Sequence, residues 1–209
     1  MRIVACFLAA FAFSAHAALT APASELIGKS VIDQARADLG RVEDLIIDLR
    51  GGRVHYAVLG FGGWAGLFDK QFAIPIEEFT PARFGDKLVL ERAKELPLLE
   101  PGADSTGPPD GEKEYWRGID RWYERRESPG LPLRQYVRAL ALLGRDVVDR
   151  TGEALSELRD FEVDLATGEV RDVLLALEGD MRRVPLQELL VPASGAALVL
   201  NVEEGKETP

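Results

Sequence analysis

The chain has 209 residues, of which 46% are hydrophobic and 29% are charged. This composition is typical of a globular protein and excludes the disordered and fibrous classes. The formal net charge of -10 predicts an acidic surface, which repels both phosphate backbones and anionic lipid headgroups. We therefore expect no binding to nucleic acid.

Residues 1–17 have the pattern of a cleavable secretory signal. A short positive start precedes an apolar run at 3–13, and 14–17 supplies the small residues that a signal peptidase reads. The run is shorter than the ~20 residues that a membrane-spanning helix needs, so a transmembrane anchor is the less favoured alternative. The pattern predicts cleavage after Ala17 and a periplasmic or secreted protein without a transmembrane segment in its mature part.

Cleavage at this position would remove Cys6, the single cysteine, and leave His55 as the only histidine of the mature chain. Without a thiol there is no disulfide, cysteine nucleophile or cysteine metal ligand. A lone histidine with no nucleophile motif and no second histidine is more often structural than catalytic or metal-binding. We therefore predict that the protein is not an enzyme and holds no metal and no cofactor.

The remainder of the chain contains an internal repeat. Residues 23–54 align without a gap on 139–170, and identical residues recur along the whole span. The alignment resumes in a shifted register where 75–79 lies over 185–189, so the second copy is six residues shorter. The loss falls between Leu59 and Pro75.

Each copy predicts short strands rather than helices. Runs rich in Val, Ile and Leu at 42–49 and 54–59 flank a glycine pair, which is a hairpin signal. In the second copy, runs at 161–165 and 170–177 flank Ala-Thr-Gly-Glu at 166–169, with Gly168 as the turn glycine. Short, closely spaced strands with no long helical period between them indicate a small barrel or sandwich.

The segment between the copies is a proline-rich linker. It holds six of the twelve prolines, which block helix interiors and strand ladders. Within it, 115–127 has the spacing of a short helix, because Trp116, Ile119 and either Trp122 or Tyr123 recur at helical spacing. This stripe either packs against a barrel, which is the favoured alternative, or forms part of a partner-binding surface.

These observations divide the chain into five parts. They are a signal peptide (1–17), a first β-module (18–95), a proline-rich linker with a short helix (96–138), a second β-module (139–202) and a C-terminal tail (203–209).

The repeat resembles the PRC-barrel family. The resemblance rests on Ala-Ser-x-Leu-Ile-Gly-x-x-Val at 23–31, Leu-Gly-x-Val-Glu-Asp-Leu-Ile-Ile-Asp at 39–48, the strand at 52–59 and Phe-Ala-Ile-Pro at 72–75. The second copy is similar up to Val170 and more loosely beyond. The resemblance implies an all-β protein of two small PRC-barrel-like barrels in tandem, and it brings no catalytic residues with it.

Known members of the family include the reaction centre H subunit, a ribosome maturation factor and stand-alone bacterial proteins. The predicted signal peptide distinguishes this chain from the first two. The chain bears a nearer resemblance to exported PRC-barrel proteins of Gram-negative bacteria. A role in assembling a photosynthetic or electron-transfer complex rests on family analogy alone.

The sequence at 60–65 matches the Gly-x-Gly-x-x-Gly/Ala dinucleotide pattern, but no helical run follows to receive a pyrophosphate. Nucleotide binding is therefore not predicted. The alternatives are a loop that shows Trp64, Leu67 and Phe68 to a partner, or one that folds back over the barrel mouth.

We predict an extracytoplasmic binding or scaffolding protein whose first module is the binder and whose second is a structural companion. The aromatic anchors lie in an acidic surround, which favours a neutral or basic protein partner. The candidate contact residues are Gly62, Gly63, Trp64, Phe68, Trp116 and Trp122.

A sensor for a small molecule or for calcium is the alternative function. Three aspartates of the first copy recur in the second: Asp33, Asp44 and Asp48 lie over Asp149, Asp160 and Asp164. Carboxylates are calcium ligands. Aspartate at strand ends also ties down turns, and this is the favoured interpretation because the EF-hand spacing is missing.

Overall fold

The structure is a computed structural model that describes residues 20–61, 70–83, 86–91, 98–99, 113–123, 136–177, 180–192 and 197–201. In these ranges the chain forms two curled β-sheets that repeat one strand arrangement. The predicted all-β fold of two small barrel-like modules is confirmed. No helix within the described ranges has both the length and the hydropathy needed to cross a bilayer.

The elements of the first module are β1 (Thr20–Pro22), α1 (Ala23–Leu26), β2 (Ser30–Ile32), β3 (Asp38–Asp48), β4 (Arg53–Phe61), β5 (Lys70–Pro75), β6 (Phe79–Pro81) and β7 (Lys87–Leu90). The linker contributes β8 (Leu98–Leu99) and α2 (Lys113–Trp122). The second module contains β9 (Tyr136–Arg138), β10 (Asp146–Val148), β11 (Ala154–Asp164), β12 (Val170–Leu177), β13 (Asp180–Val184), β14 (Leu189–Leu190) and β15 (Leu198–Leu200).

The two sheets share one topology. The first runs β6-β7-β2-β3-β4-β5-β8 and the second runs β14-β15-β10-β11-β12-β13. In each, the first long strand pairs with the next to form a hairpin, and the short strand before the hairpin pairs in parallel with the last one, as β2 does with β7 and β10 with β15. A 3₁₀ turn lies between β5 and β6 at Ile76–Glu78, and another lies between β13 and β14 at Leu186–Glu188.

The predicted repeat holds down to the register of the strands. Val42 lies opposite Leu59 as Leu158 lies opposite Leu175, and in both ladders a bulge follows immediately. The modules differ in one hairpin, because residues 62–69 separate β4 from β5 whereas only 178–179 separate β12 from β13. The six-residue difference read from the sequence is located in this hairpin.

The two modules exchange their first strands. β1 precedes the first module but pairs with β11, which places Thr20 opposite Asp164. β9 precedes the second module but pairs with β3, which places Tyr136 opposite Asp48. The repeat alignment converts one pair into the other, so the exchange is reciprocal and the arrangement has approximate two-fold symmetry.

Two repeated aspartates fasten the exchanged segments. The carboxylate of Asp160 in β11 accepts hydrogen bonds from the hydroxyl and, at 3.1 Å, from the backbone N–H of Ser24 in α1. In the symmetric position, Asp44 in β3 accepts from the backbone N–H of Leu140 at 3.1 Å and from Arg138 Nε at 2.7 Å. Asp160 of the second module thus holds the chain just after β1, and Asp44 of the first module holds the chain just after β9. Each module therefore satisfies a backbone N–H group next to the strand that it receives from the other.

One hydrophobic core serves both modules. Buried side chains from β3 and β4, such as Leu45 and Ala57, belong to the same cluster as Phe161 and Val173 from β11 and β12. Where the two hairpins meet, the backbones bond directly. Val54 N–H donates to the Gly168 carbonyl at 2.7 Å, and Val170 N–H donates to the Gly52 carbonyl at 2.9 Å. The modules thus form one packed unit.

The contact between the hairpins requires glycine at residue 168. The φ of Gly168 is +74°, and a Cβ there would lie 2.3 Å from the carbonyl oxygen of Val54 and 2.7 Å from Cγ2 of Ile76. Both the backbone conformation and the space therefore exclude a side chain. Gly168 is the turn glycine of the second copy, and it also allows the two modules to approach each other.

Replacing Gly168 by alanine is expected to destabilise the whole protein. Gly144 is the matched control, because its φ of +77° carries similar backbone strain while nothing lies within 4 Å of an added Cβ. We expect Gly144→Ala to lower the free energy of unfolding by about 1 kcal/mol through backbone strain alone. Gly168→Ala should cost at least about 2 kcal/mol more, because backbone atoms of the other module must move. Urea unfolding followed by tryptophan fluorescence measures both, and equal losses would contradict the close contact.

Cutting the linker should leave the two modules together. A protease site inserted between Thr106 and Gly107 would separate the halves covalently, but the shared core and the exchanged strands would still join them. We expect both fragments to co-elute in size-exclusion chromatography at the volume of the uncut protein. Fragments that elute apart under native conditions would show that the modules are independent.

Candidate functional site

Helix α2 covers the outer face of the first module. The residues between helix and sheet form a buried cluster separate from the shared core, which we call the helix-covered face: Ile46, Tyr56, Val58, Ala73, Trp116, Ile119 and Tyr136. The helix supplies residues at spacings of three and four, as an amphipathic helix does. The predicted short helix in the linker is confirmed, and so is its packing against the first barrel.

Aromatic rings and one carboxylate hold α2 in place. Trp116 stacks on Tyr56 with ring centroids 5.9 Å apart and an interplanar angle of 14°. The buried carboxylate of Asp120 accepts hydrogen bonds from the hydroxyls of Tyr56 and Tyr136. Tyr123, just after the helix, donates its hydroxyl to the Ala73 carbonyl of β5 at 2.7 Å. These contacts fix the helix across β9, β3, β4 and β5.

The candidate contact residues separate into three groups. Trp116 is only 2% exposed, so its prediction as a contact residue is corrected: its ring fills the space between α2 and Tyr56. Trp122 is 56% exposed and remains available at the end of the helix. Gly62, Gly63, Trp64 and Phe68 lie outside the described residues.

Phe61 is an exposed aromatic residue outside the predicted set of contact residues. It ends β4 immediately before residues 62–69, and its side chain is 44% exposed. The signal was present, since Phe61 lies inside the same glycine-rich run as Gly62 and Gly63. The alternation of the strand alone did not show whether its ring faces solvent.

Phe61 and Trp122 are both exposed, and we call them the exposed aromatic pair. They belong to different faces of the sheet, because Phe61 lies on the same side of β4 as Ala57 and Leu59 of the shared core, whereas α2 lies over the opposite face. Trp122 is the neighbour of Tyr123, which bonds to Ala73, and Ala73 lies opposite Val58 in the β4–β5 ladder. From there the ladder runs three more residue pairs to Phe61, which is about 10 Å at the usual rise of a strand. Two large apolar side chains of the first module thus reach solvent, Phe61 at the origin of the longer hairpin and Trp122 at the end of α2.

The equivalent outer face of the second module is polar. Where the first module has Ile46, Tyr56 and Ala73, the second has Glu162, Asp172 and Arg183. Arg183 is exposed and pairs with Glu162 across this face. A helix that packed here as α2 does would bury charges, which costs several kcal/mol per ion. Among the residues that the structure describes, a helix-covered face therefore occurs in the first module alone.

His55 has a structural environment. It is 4% exposed, its Nε2 lies 3.8 Å from Oδ2 of Asp48, and its ring meets Tyr136 edge-on with centroids 5.5 Å apart. In the second module Arg171 holds the equivalent position, and its guanidinium lies 3.0 Å from the carboxylate of Asp164. The same place in both modules thus sets a basic side chain against a repeated aspartate, which supports the structural interpretation of His55.

The repeated aspartates at strand ends tie down turns. Asp48 accepts a hydrogen bond from the backbone N–H of Arg50 at 3.1 Å. Asp164 accepts from the backbone N–H groups of Ala166 and Thr167 in the equivalent hairpin. This is the turn chemistry expected of aspartate.

The repeated pair Asp33 and Asp149 also ties down turns, in each case through the backbone N–H four residues later. Asp33 accepts from the backbone N–H of Ala37 at 2.7 Å, and Asp149 accepts from that of Glu153 at 2.8 Å. In the part of the chain that the structure describes, no three acidic, histidine or cysteine side chains converge as metal ligands would.

The carboxyl pKa values follow these surroundings. Burial raises the pKa of Asp44, and the hydrogen bonds from Leu140 and Arg138 offset this only in part. Burial also raises the pKa of Asp164, but the backbone N–H groups and Arg171 outweigh it and hold the pKa below its usual value. The hydroxyl of Thr151 lowers the pKa of Asp149. The lowered values belong to turns and not to a cleft.

Comparison with known proteins agrees with this architecture. The family model of the PRC-barrel domain matches the chain twice, at residues 20–96 and 136–208, and the matches begin at the exchanged strands β1 and β9. A comparison with curated protein sequences gives no match. The two matches cover more than half of the chain; the first contains β2 to β7 of one curled sheet and the second contains β10 to β15 of the other. This chain therefore belongs to the PRC-barrel family and carries two of its domains in tandem.

Proposed function

We propose that this PRC-barrel protein is an exported, non-enzymatic binding or scaffolding protein that contacts a protein partner through its first module. Family membership supports a binding or scaffolding module. The observation that carries the proposal is that the first module exposes two aromatic side chains, Trp122 at the end of α2 and Phe61 directly before the hairpin that is longer in this module.

Exposed aromatic side chains favour association because burying one in an interface removes a large apolar surface from contact with water. Complete burial of such a ring is worth roughly 1.5–3 kcal/mol, and tryptophan is enriched among residues that dominate interfaces. The segment that follows Phe61 contributes Gly62, Gly63, Trp64 and Phe68 from the sequence. Together these residues supply an apolar anchor of useful size.

The charge of the protein restricts the partner. With a formal net charge of -10, long-range forces repel acidic macromolecules and attract basic ones. Charge complementarity therefore favours a neutral or basic protein.

Export is supported by the position of the first strand. Cleavage after Ala17 would leave the mature chain starting at Ala18, two residues before β1 begins at Thr20. The strand that pairs with β11 would thus stay complete after processing.

Removing an aromatic anchor is expected to weaken partner binding. We expect Trp64→Ala and Trp122→Ala, each made in the full chain, to reduce the yield of cross-linked partner proteins in the native host at least about fivefold, which corresponds to roughly 1 kcal/mol of lost binding free energy. Trp122 is exposed, so its variant should melt within a few degrees of the wild type.

The matched control is Leu190→Ala. Leu190 is 52% exposed, close to Trp122, but it lies on β14 of the second module. It should leave the cross-linked proteins unchanged. The proposal is wrong if both tryptophan variants retain the wild-type cross-linking pattern.

Processing can be tested directly. When the full chain is expressed in a Gram-negative host, we expect intact-mass analysis of the periplasmic fraction to give a protein that starts at Ala18. Ala17→Leu should impair processing, because the peptidase reads a small residue there. Recovery of the unprocessed wild-type chain from the cytoplasm would rule out export.

A further inference from the structure

We propose that the outer edge of β13 is a docking site for an extended segment of a partner protein, which adds to the second sheet as an antiparallel strand. The segment carries an acidic residue opposite Arg182 and an apolar residue opposite Met181. This inference concerns the second module and does not rest on the binding surface proposed for the first.

The first module shows how this edge is used. Its equivalent strand, β5, is covered on the outer side by β8 from the linker, with Leu99 opposite Gln71 and Leu98 opposite Phe72. Within the described ranges β13 pairs with β12 alone, and it ends the second sheet. The repeat therefore leaves open in one module the edge that the chain itself fills in the other.

The open edge is accessible along most of its length. All four residues from Asp180 to Arg183 are exposed, and Met181 is 57% exposed. The outer N–H and C=O groups of an edge strand form a ready template for another strand. Backbone hydrogen bonds supply the affinity of such an addition, and alternate side chains supply its specificity.

The side chains of β13 differ from those of β5 in a way that defines the occupant. Phe72 of β5 packs against the shared core, whereas the equivalent residue of β13 is the exposed Arg182. Leucine opposite Phe72 suits the first module, but opposite Arg182 an acidic side chain gives the favourable cross-strand pair. Met181 is itself apolar, so an apolar residue of the segment suits the position opposite it.

The neighbouring charges reinforce this choice. Arg183 is held by Glu162 across the outer face and so does not compete for the segment. Arg182 also guards the edge against pairing with a second apolar strand, since charged side chains at an edge discourage aggregation. A local acidic segment is compatible with a partner that is neutral or basic overall.

A peptide taken from this chain is a suitable probe. The probe is a fluorescein-labelled peptide of residues 95–101, which contain β8, with the substitution Leu98→Glu. The peptide is titrated with the mature protein, and binding is followed by fluorescence anisotropy. We expect saturable binding in roughly the micromolar range. Arg182→Glu should weaken it at least about fivefold, because an attractive cross-strand pair becomes repulsive.

The matched control is Arg159→Glu, which makes the same charge change at an exposed arginine of β11. It should leave the affinity within about twofold, because the pair Arg159–Glu157 lies off the edge. The unsubstituted peptide 95–101 should bind more weakly than the Leu98→Glu form. Hydrogen exchange should show added protection at 180–184.

Three results would overturn the proposal. The first is equal weakening by Arg182→Glu and Arg159→Glu, which would indicate only general charge attraction. The second is protection at 70–75 and not at 180–184. The third is binding that emerges only after residues 202–209 are deleted, since the chain's own end would then be the occupant. The binding surface of the first module would stand in each case, because its test uses different residues.

Discussion

The meeting of the two hairpins at Gly52 and Gly168 is the contact on which the rest of the structure depends. Reciprocal backbone hydrogen bonds join the hairpins there, and an added side chain at residue 168 would collide with a backbone carbonyl of the other module. The close approach brings the inner faces of both sheets into one core. Small domains bury a smaller fraction of their surface than large ones and are marginally stable, so pooling two inner faces stabilises both modules.

The approximate symmetry ends at the outer faces. Residues that face the shared core are apolar in both copies, because each copy must bury that side. The outer faces carry no common requirement, and they differ: one has Tyr56 beneath a helix, the other has Asp172 in its place. The linker supplies the first module with both a covering helix and an added edge strand. The asymmetry of the protein is thus concentrated where partners can reach it.

The sequence predicts the repeat and its six-residue gap because aligned residues such as Asp44 and Asp160 occupy equivalent registers. It predicts the helix because Trp116 and Ile119 recur at helical spacing. The spacing indicates one apolar face of the helix, but it does not show which aromatic side chain lies at the edge of that face. The sequence therefore does not distinguish Trp116, which is buried, from Trp122, which is exposed.

The strand exchange has no signature in the sequence. Ladder pairing is made by backbone groups, so nothing in Thr20–Pro22 specifies β11 as its partner. The role of Asp160 in holding Ser24 could not be read for the same reason, since it depends on which segment the exchange brings near.

The strand exchange also has a kinetic consequence. β1 lies at the start of the described chain, yet its partner residues, Glu162 to Asp164, are synthesised when most of the chain is already made. Contacts of such long sequence separation form slowly, because the entropy of closing the loop is lost before the contact stabilises it. The nascent first module lacks the strand that fills its own sheet, β9, until the linker has followed. The amino-terminal half therefore cannot complete its fold before the linker and β9 have been synthesised.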